Sequence, residues 1–288
     1  MSTHTTDASS ARRRTDWPRR PGRTIMVSIG ALVLLLSAVL PGLTYVQARA
    51  DGRPIEIQGG AAASTVSIDA ERASVTILPT DGNEVTWDVT GGTATVDADV
   101  QVDGDTVAIE VGDVRRPWGG SSFSDWGPSD LPFLDRASRT PQVTVSVPTG
   151  TDLDVELDMG RLRGEGIDVA NLSVDSHLGD VELTGAAENL TATMDLGDFR
   201  ASDLAVTGAM TLTSSLGNFD LASSSVPGSI EVDSDLGNVT LALPPGPYRV
   251  STRTDLGDVV NRLTVVDGET SVPVDLSTGL GTITLTEY

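Results

Sequence analysis

Cysteine is absent from the 288 residues, which excludes disulfides, thiolate chemistry and cysteine-based metal sites. Lysine is absent too, so every one of the 19 basic residues is arginine and no lysine nucleophile or Schiff base is available. Histidine occurs only at His4 and His177, and neither G-x-S-x-G nor H-E-x-x-H is present. Aromatic residues make up 4% against 39% hydrophobic residues, so a core must be built from Val, Leu, Ile and Ala. These absences weigh against an enzyme, and no cofactor is expected. Positive charge is also scarce where it would matter for nucleic acid. Residues 51–288 carry 12 Arg against 39 acids, a balance that repels phosphate and argues against nucleic-acid partners.

The first 50 residues are the reverse, with seven Arg against Asp7 and Asp16. The 22 residues Ile25 to Val46 carry no charge. As a helix they would span roughly 33 Å, about one hydrocarbon core. Arg12, Arg13, Arg14, Arg19, Arg20 and Arg23 precede the run and only Arg49 and Arg53 closely follow it. The positive-inside rule predicts a single-pass cell-membrane protein with residues 1–24 as a cytoplasmic Arg-rich disordered tail. Residues 25–46 form the transmembrane helix or uncleaved signal anchor, and 47–54 a linker to an extracytoplasmic body. The alternative is secretion after cleavage near Ala50, since Pro41-Gly42 breaks the run and Ala48-Arg49-Ala50 has the small-x-small form.

The body is repetitive. MGRL, LGDV, LGDF, LGNF, LGNV, LGDV and LGTI recur around Gly160, Gly179, Gly197, Gly217, Gly237, Gly257 and Gly281, at spacings of 19, 18, 20, 20, 20 and 24. Seven residues before each glycine stand Leu153, Leu172, Leu190, Met210, Ile230, Val250 and Val274. One before stand Met159 and six leucines; two after stand Leu162, Val181, Phe199, Phe219, Val239, Val259 and Ile283. Leu212, Leu216, Phe219 and Leu221 read as period two with a phase shift at Gly217, which is a strand pleat with a corner. A unit of ~20 residues cannot bury its own apolar face, so residues 141–288 are predicted to stack as solenoid rungs. Ser176, Ser214, Ser234, Thr254 and Thr278 form a polar column three before the glycines; facing inward, their hydroxyls could bond along the stack.

Residues 55–112 alternate as strands without the Leu-Gly motif, with Asp81-Gly82 and Asp103-Gly104 as hairpin turns. They are expected to be N-terminal rungs or a cap. Residues 113–140 lose the pleat and hold Trp118, Phe123, Trp126 and Phe133 beside Arg115 and Arg116. That loop is a candidate contact surface for cell-wall glycan or another surface protein, because aromatics anchor interfaces and Trp stacks on sugar rings. The competing reading is a lid over the end of the solenoid.

The V-P-x-G-x-x-L strand within 143–160, the iterated LG[DN]φ motif and the alternating region before them resemble the bacterial putative-adhesin, β-strand-repeat family of unknown function. The resemblance covers most of residues 55–288. It implies a right-handed β-helix-like fold behind one membrane segment and brings no catalytic residues. The expected function is a non-enzymatic cell-surface module for binding or scaffolding. The alternatives are a carbohydrate-active β-helix enzyme of the envelope, which needs two placed carboxylates, and an extracytoplasmic sensor of envelope stress. Asp195/Asp198, Asp235/Asn238 and Asp255/Asp258 flank their glycines and suit turn chemistry first, a cation such as calcium second. His177 shares the column of Asp158, Asp195, Asp235 and Asp255 and reads as an exposed corner residue. Oligomeric state is left open.

Overall fold

The computed structural model describes residues 55–92, 96–113, 140–266, 268 and 270–288. The tail and the apolar run therefore lie outside the described residues, as do Arg115, Arg116, Trp118, Phe123, Trp126 and Phe133. Among the described residues no helix is long and apolar enough to cross a membrane. The chain divides into residues 1–48 and a compact unit at 49–288, and the second is described below.

Among the described residues the unit is all-β, and its 17 strands belong to one sheet. Seven strands lead in: β1 (Ile55–Ala61), β2 (Thr65–Ala70), β3 (Ala73–Thr80), β4 (Val85–Gly91), β5 (Val96–Asp103), β6 (Thr106–Asp113) and β7 (Gln142–Pro148). β8 (Thr151–Leu196) is a 46-residue extended run, which if straight would be roughly 150 Å long. It bends instead. Its Leu153–Leu157 part pairs with β2, its Gly160–Gly164 part with β3, its Val181–Ala187 part with β9 and its Leu190–Leu196 part with β10. Paired legs follow: β9 (Phe199–Val206), β10 (Ala209–Leu216), β11 (Phe219–Ser223), β12 (Ser229–Leu236), β13 (Val239–Leu243), β14 (Tyr248–Leu256), β15 (Val259–Asn261), β16 (Val272–Leu280) and β17 (Ile283–Glu287).

Pairing through the repeat is parallel and in register. Met210 lies beside Leu190 and Ile230, and Phe219 beside Phe199 and Val239. Equivalent residues one repeat apart are therefore neighbours, which defines a solenoid-like stack of rungs. Each rung has a first leg before the glycine and a second leg after it. The inward columns are buried from Leu153 to Val274 on the first leg and from Leu162 to Ile283 on the second. Phe199 and Phe219 meet at 6.0 Å between ring centroids, tilted by 55°. Burying each such ring contributes on the order of 1.5–3 kcal/mol.

The order of rungs departs from the order of the chain. β12 and β13 pair not with β14 and β15 but with β16 and β17. β14 and β15 then stack on the far side of β16 and β17. The last rung in sequence is thus inserted between its two predecessors, and the rung of Gly257 ends the stack. The column Phe199, Phe219, Val239, Ile283 is fully buried, whereas Val259 in the end rung is 40% exposed.

At the other end, β2/β3 and β6/β7 continue the parallel rungs, and three antiparallel strands finish the sheet. β4 pairs with β7 and β1, and β5 folds back on β6 through Gly104, at φ +61°. Asp103-Gly104 is thus the hairpin turn expected of it. Asp81-Gly82 is not, because β7 lies between β3 and β4 and pairs with both. The turn after Thr80 crosses a strand that arrives much later in the chain, and no local pattern announces that.

Candidate functional surface

The corner after each first leg carries the most regular surface of the molecule. Backbones of successive rungs come so close there that no side chain fits. A Cβ on Gly217 would be driven into the carbonyl oxygen of Gly197, and one on Gly237 into that of Gly217. The same contact links Gly179 to Gly160 and Gly197 to Gly179. It then runs from Gly281 to Gly237 and from Gly257 to Gly281, repeating the inserted order of rungs. At Gly217 the close approach alone imposes glycine.

The residue before each glycine points outward. Met159, Leu178, Leu196, Leu216, Leu236, Leu280 and Leu256 are 40% to 67% exposed. The period-two pattern placed Leu216 with the buried set and the phase shift at Gly217. In the structure Leu212 and Ser214 are buried while Ser215 and Leu216 both face solvent, so the pleat breaks before Leu216. Stacked at the ~4.8 Å strand spacing, the seven side chains form an apolar ridge roughly 29 Å long.

Polar columns flank the ridge. On one side stand Asp158, His177, Asp195, Ser215, Asp235, Gly279 and Asp255 in stack order. His177 bridges two rungs there, with Nδ1 3.4 Å from Asp158 and Nε2 3.9 Å from Asp195. On the other side a ladder of carboxamides and carboxylates satisfies the backbone of the corner. Asp198 Oδ1 accepts from Asn218 Nδ2 at 2.9 Å and from Asn218 N at 3.1 Å. Asn218 Oδ1 accepts from Asn238 N at 3.0 Å, and Asn238 Oδ1 from Thr282 N at 2.9 Å. Asp180 Oδ1 accepts from Asp198 N at 3.2 Å and its other oxygen lies 3.6 Å from Arg161. The hydrogen bond from the Asn218 side chain, aided by its backbone N–H and by Arg200, holds the Asp198 carboxyl below the ordinary carboxylate range. These oxygens are occupied by backbone N–H groups, which is turn chemistry. Among the described residues no group of three or more His, Asp or Glu converges to hold a metal ion.

A second ladder at the start of the first leg was not picked out in the sequence. Asn171 Nδ2 donates to Asp152 at 2.7 Å, Asn189 Nδ2 to Asn171 at 2.9 Å, and Asn189 Oδ1 accepts from Ala209 N at 3.0 Å. Its sequence signal is an Asx eight residues before the glycine in three successive units. The inward hydroxyl column behaves differently from expectation. Ser176, Ser214 and Ser234 are buried without a partner, while Thr254 and Thr278 donate to Gly281 and Gly237 carbonyls at 3.3 and 3.2 Å. The hydroxyls do not bond to one another; the two threonines reach corner carbonyls of the neighbouring rung instead.

Two charged surfaces lie on the outer sheet faces. Arg163, Glu182, Arg200 and Asp220 line a shallow depression, with Arg163 Nη2 2.7 Å from Glu182 and Arg200 Nη2 2.7 Å from Asp198. Across β8, β2, β6 and β5, Glu156, Asp69, Glu110 and Asp99 are direct cross-strand neighbours. Like charges so placed oppose the sheet they sit on. Reading strands one at a time hides this row, because its members are far apart in sequence.

A stack of parallel rungs with a glycine corner, an Asx ladder and a capped beginning defines a β-solenoid-like repeat domain. The chain belongs to the Toastrack DUF4097 family, which it matches over residues 63–226 and again over 160–286. No curated protein matches. Among solved structures, the chain is similar to one titled a "putative cell adhesion protein" from Clostridium sporogenes. That match has 11% identity and a TM-score of 0.38, covering 82% of this chain and 100% of the other. It is also similar to a "putative adhesin" from Bacteroides fragilis, at 12% identity and TM-score 0.42, over 80% and 97% of the two chains. A "putative lipid binding protein" from Parabacteroides distasonis matches at 13% identity and TM-score 0.31, over 83% and 98%.

Proposed function

We propose that this protein is a non-enzymatic contact module of the bacterial envelope. In this reading residues 25–46 anchor it in the cell membrane, the tail is cytoplasmic, and the right-handed β-solenoid outside binds or scaffolds another surface component. The observation that carries the reading is the ridge of Met159, Leu178, Leu196, Leu216, Leu236, Leu280 and Leu256. A repeat that only had to fold could place any polar residue at an exposed corner. Seven exposed apolar side chains in one line, flanked by carboxylates, fit a protein surface presenting apolar residues between arginines or lysines. The Trp118–Phe133 segment is proposed to extend the contact surface toward cell-wall glycan.

The test is photo-crosslinking on intact cells with the full chain. A crosslinker at Leu216 should capture a defined surface protein, and one at Thr240 on the outer face of the second leg should not. Serine at Leu196, Leu216 and Leu236 together should abolish capture while leaving the melting temperature in place. Equal capture from Leu216 and Thr240, or capture unaffected by the triple change, refutes the ridge. Trp118→Ala with Trp126→Ala, assayed on purified glycan, tests the second surface separately.

A further inference from the structure

The end rung leaves a nine-residue strand, β14, with one free edge. β14 pairs with β16 on one side. On the other, Tyr248 alone meets a neighbour, at Val265. Beyond that bridge, no described residue pairs with the backbone from Arg249 to Leu256 on this edge. Val259, Val260, Val265, Val266 and Leu256 are exposed around it. A long strand edge beside exposed core positions is a template for another strand.

Charge on this strand singles out an occupant. The edge strand β5 at the opposite end holds Asp97, Asp99 and Asp103 and no arginine, so copies of it repel. β14 reads YRVSTRTDL, with Arg249, Arg253 and Asp255, on a body that is otherwise strongly acidic. Antiparallel pairing of β14 with itself about Thr252 sets Arg249 opposite Asp255 twice and Arg253 opposite Ser251. The core-facing residues Val250, Thr252 and Thr254 then meet each other. Slipping by two residues one way puts Arg249 against Arg253. The opposite slip puts Arg253 against itself. Slipping by one sets core-facing residues against solvent-facing ones. Opposite charges directly across a pair of strands stabilise it and like charges oppose it, so one register is selected. Arg249 has no ion partner within the chain among the described residues, and Asp255 has only Arg253, at 3.6 Å.

We infer that two copies of this chain join end to end through β14, antiparallel and two-fold symmetric about Thr252, continuing the sheet and covering the exposed valines. Edge pairing supplies the backbone bonds, and the two Arg249–Asp255 contacts fix the register. This interface is separate from the corner ridge and stands or falls independently of it.

The absence of cysteine makes the test direct. In the full chain in membranes, Thr252→Cys supplies the only thiol and lies on the symmetry axis. Opposed residues in antiparallel strands have Cα atoms ~4.5–5.5 Å apart, within disulfide range. Mild oxidation should give a covalent dimer on a non-reducing gel. Ser251→Cys should give little, because its opposite number is Arg253. Adding Arg249→Asp to Thr252→Cys should remove most of the dimer, and adding Asp255→Arg as well should restore it. Circular dichroism should match across the set, since both charged side chains are exposed. No dimer from Thr252→Cys, equal dimer from Ser251→Cys, or failure of the double charge swap to restore it each overturns the inference.

Discussion

At one end of the stack, β1, β4 and β5 run antiparallel to their neighbours and close the sheet with strands that carry acidic residues. At the other, β14 and β15 are ordinary rung legs, parallel to β16 and β17 and, among the described residues, covered by no further rung. Val259 and Val239 occupy the same column, yet only Val239 is fully buried. A repeat sequence supplies identical apolar positions to every rung. Burial of those positions depends on what lies on both sides.

Substitution along one column breaks this comparison most strongly. Phe219→Ala should destabilise the protein by about 3–5 kcal/mol, because the interior rungs cannot close around the void. Val259→Ala should cost under about 1 kcal/mol in a monomer, since its side chain is already open to water. Denaturant melts of the two variants measure the difference, and equal losses would mean that the end rung is covered.

The glycines give the next effect. Gly217→Val should cost roughly 1–3 kcal/mol, because its Cβ meets the Gly197 carbonyl and the rungs must separate. Gly104→Ala in the β5–β6 turn meets nothing within 4 Å, so only its φ of +61° resists. That change should cost about 1 kcal/mol. A larger loss at Gly104 than at Gly217 would contradict the close approach at the corner.

Acid sharpens the contrast between interior and end rungs. Asp198 is held below the ordinary carboxylate pKa by Asn218, so the stability it lends is present above its unfolded pKa. That stability is lost as pH falls through the lower, folded value. Melting curves taken downward from pH 5 should therefore fall more steeply for the wild type than for Asp198→Asn. The Asn218 contact that holds this carboxyl down lies between interior rungs. The smallest effect is expected at the ridge, where Leu216→Ser should shift stability by no more than about 0.5 kcal/mol.

Much of this was legible without coordinates. Leu153, Phe219 and their equivalents repeat at a fixed offset, and a side chain that recurs every unit must meet its own copies when units stack. The all-β class, the glycine corner and the inward columns follow from that. The ridge was half legible: its leucines were plain, but their direction was not. A pleat is read from alternation, and the corner breaks alternation one residue before the glycine that marks it. The acidic row was legible only at Asp99 and Glu110, which face each other in the β5–β6 hairpin; Asp69 and Glu156 join it through parallel pairings, whose partners are separated by long stretches of chain.

The sequence alone determined the two inward columns, seven residues before and two after each glycine, because periodicity is local and the hydrophobic effect acts on any chain that can bury it. It determined that glycine must stand at each corner and that no thiol or lysine chemistry is available. The order of the rungs was decided by the tertiary structure. Rungs of near-identical sequence can stack on either side of one another at similar cost, so nothing in Tyr248–Leu256 or Val272–Leu280 says which lies outermost. Only the folded stack, in which β16 slides between β12 and β14, leaves the arginine-bearing strand with a free edge.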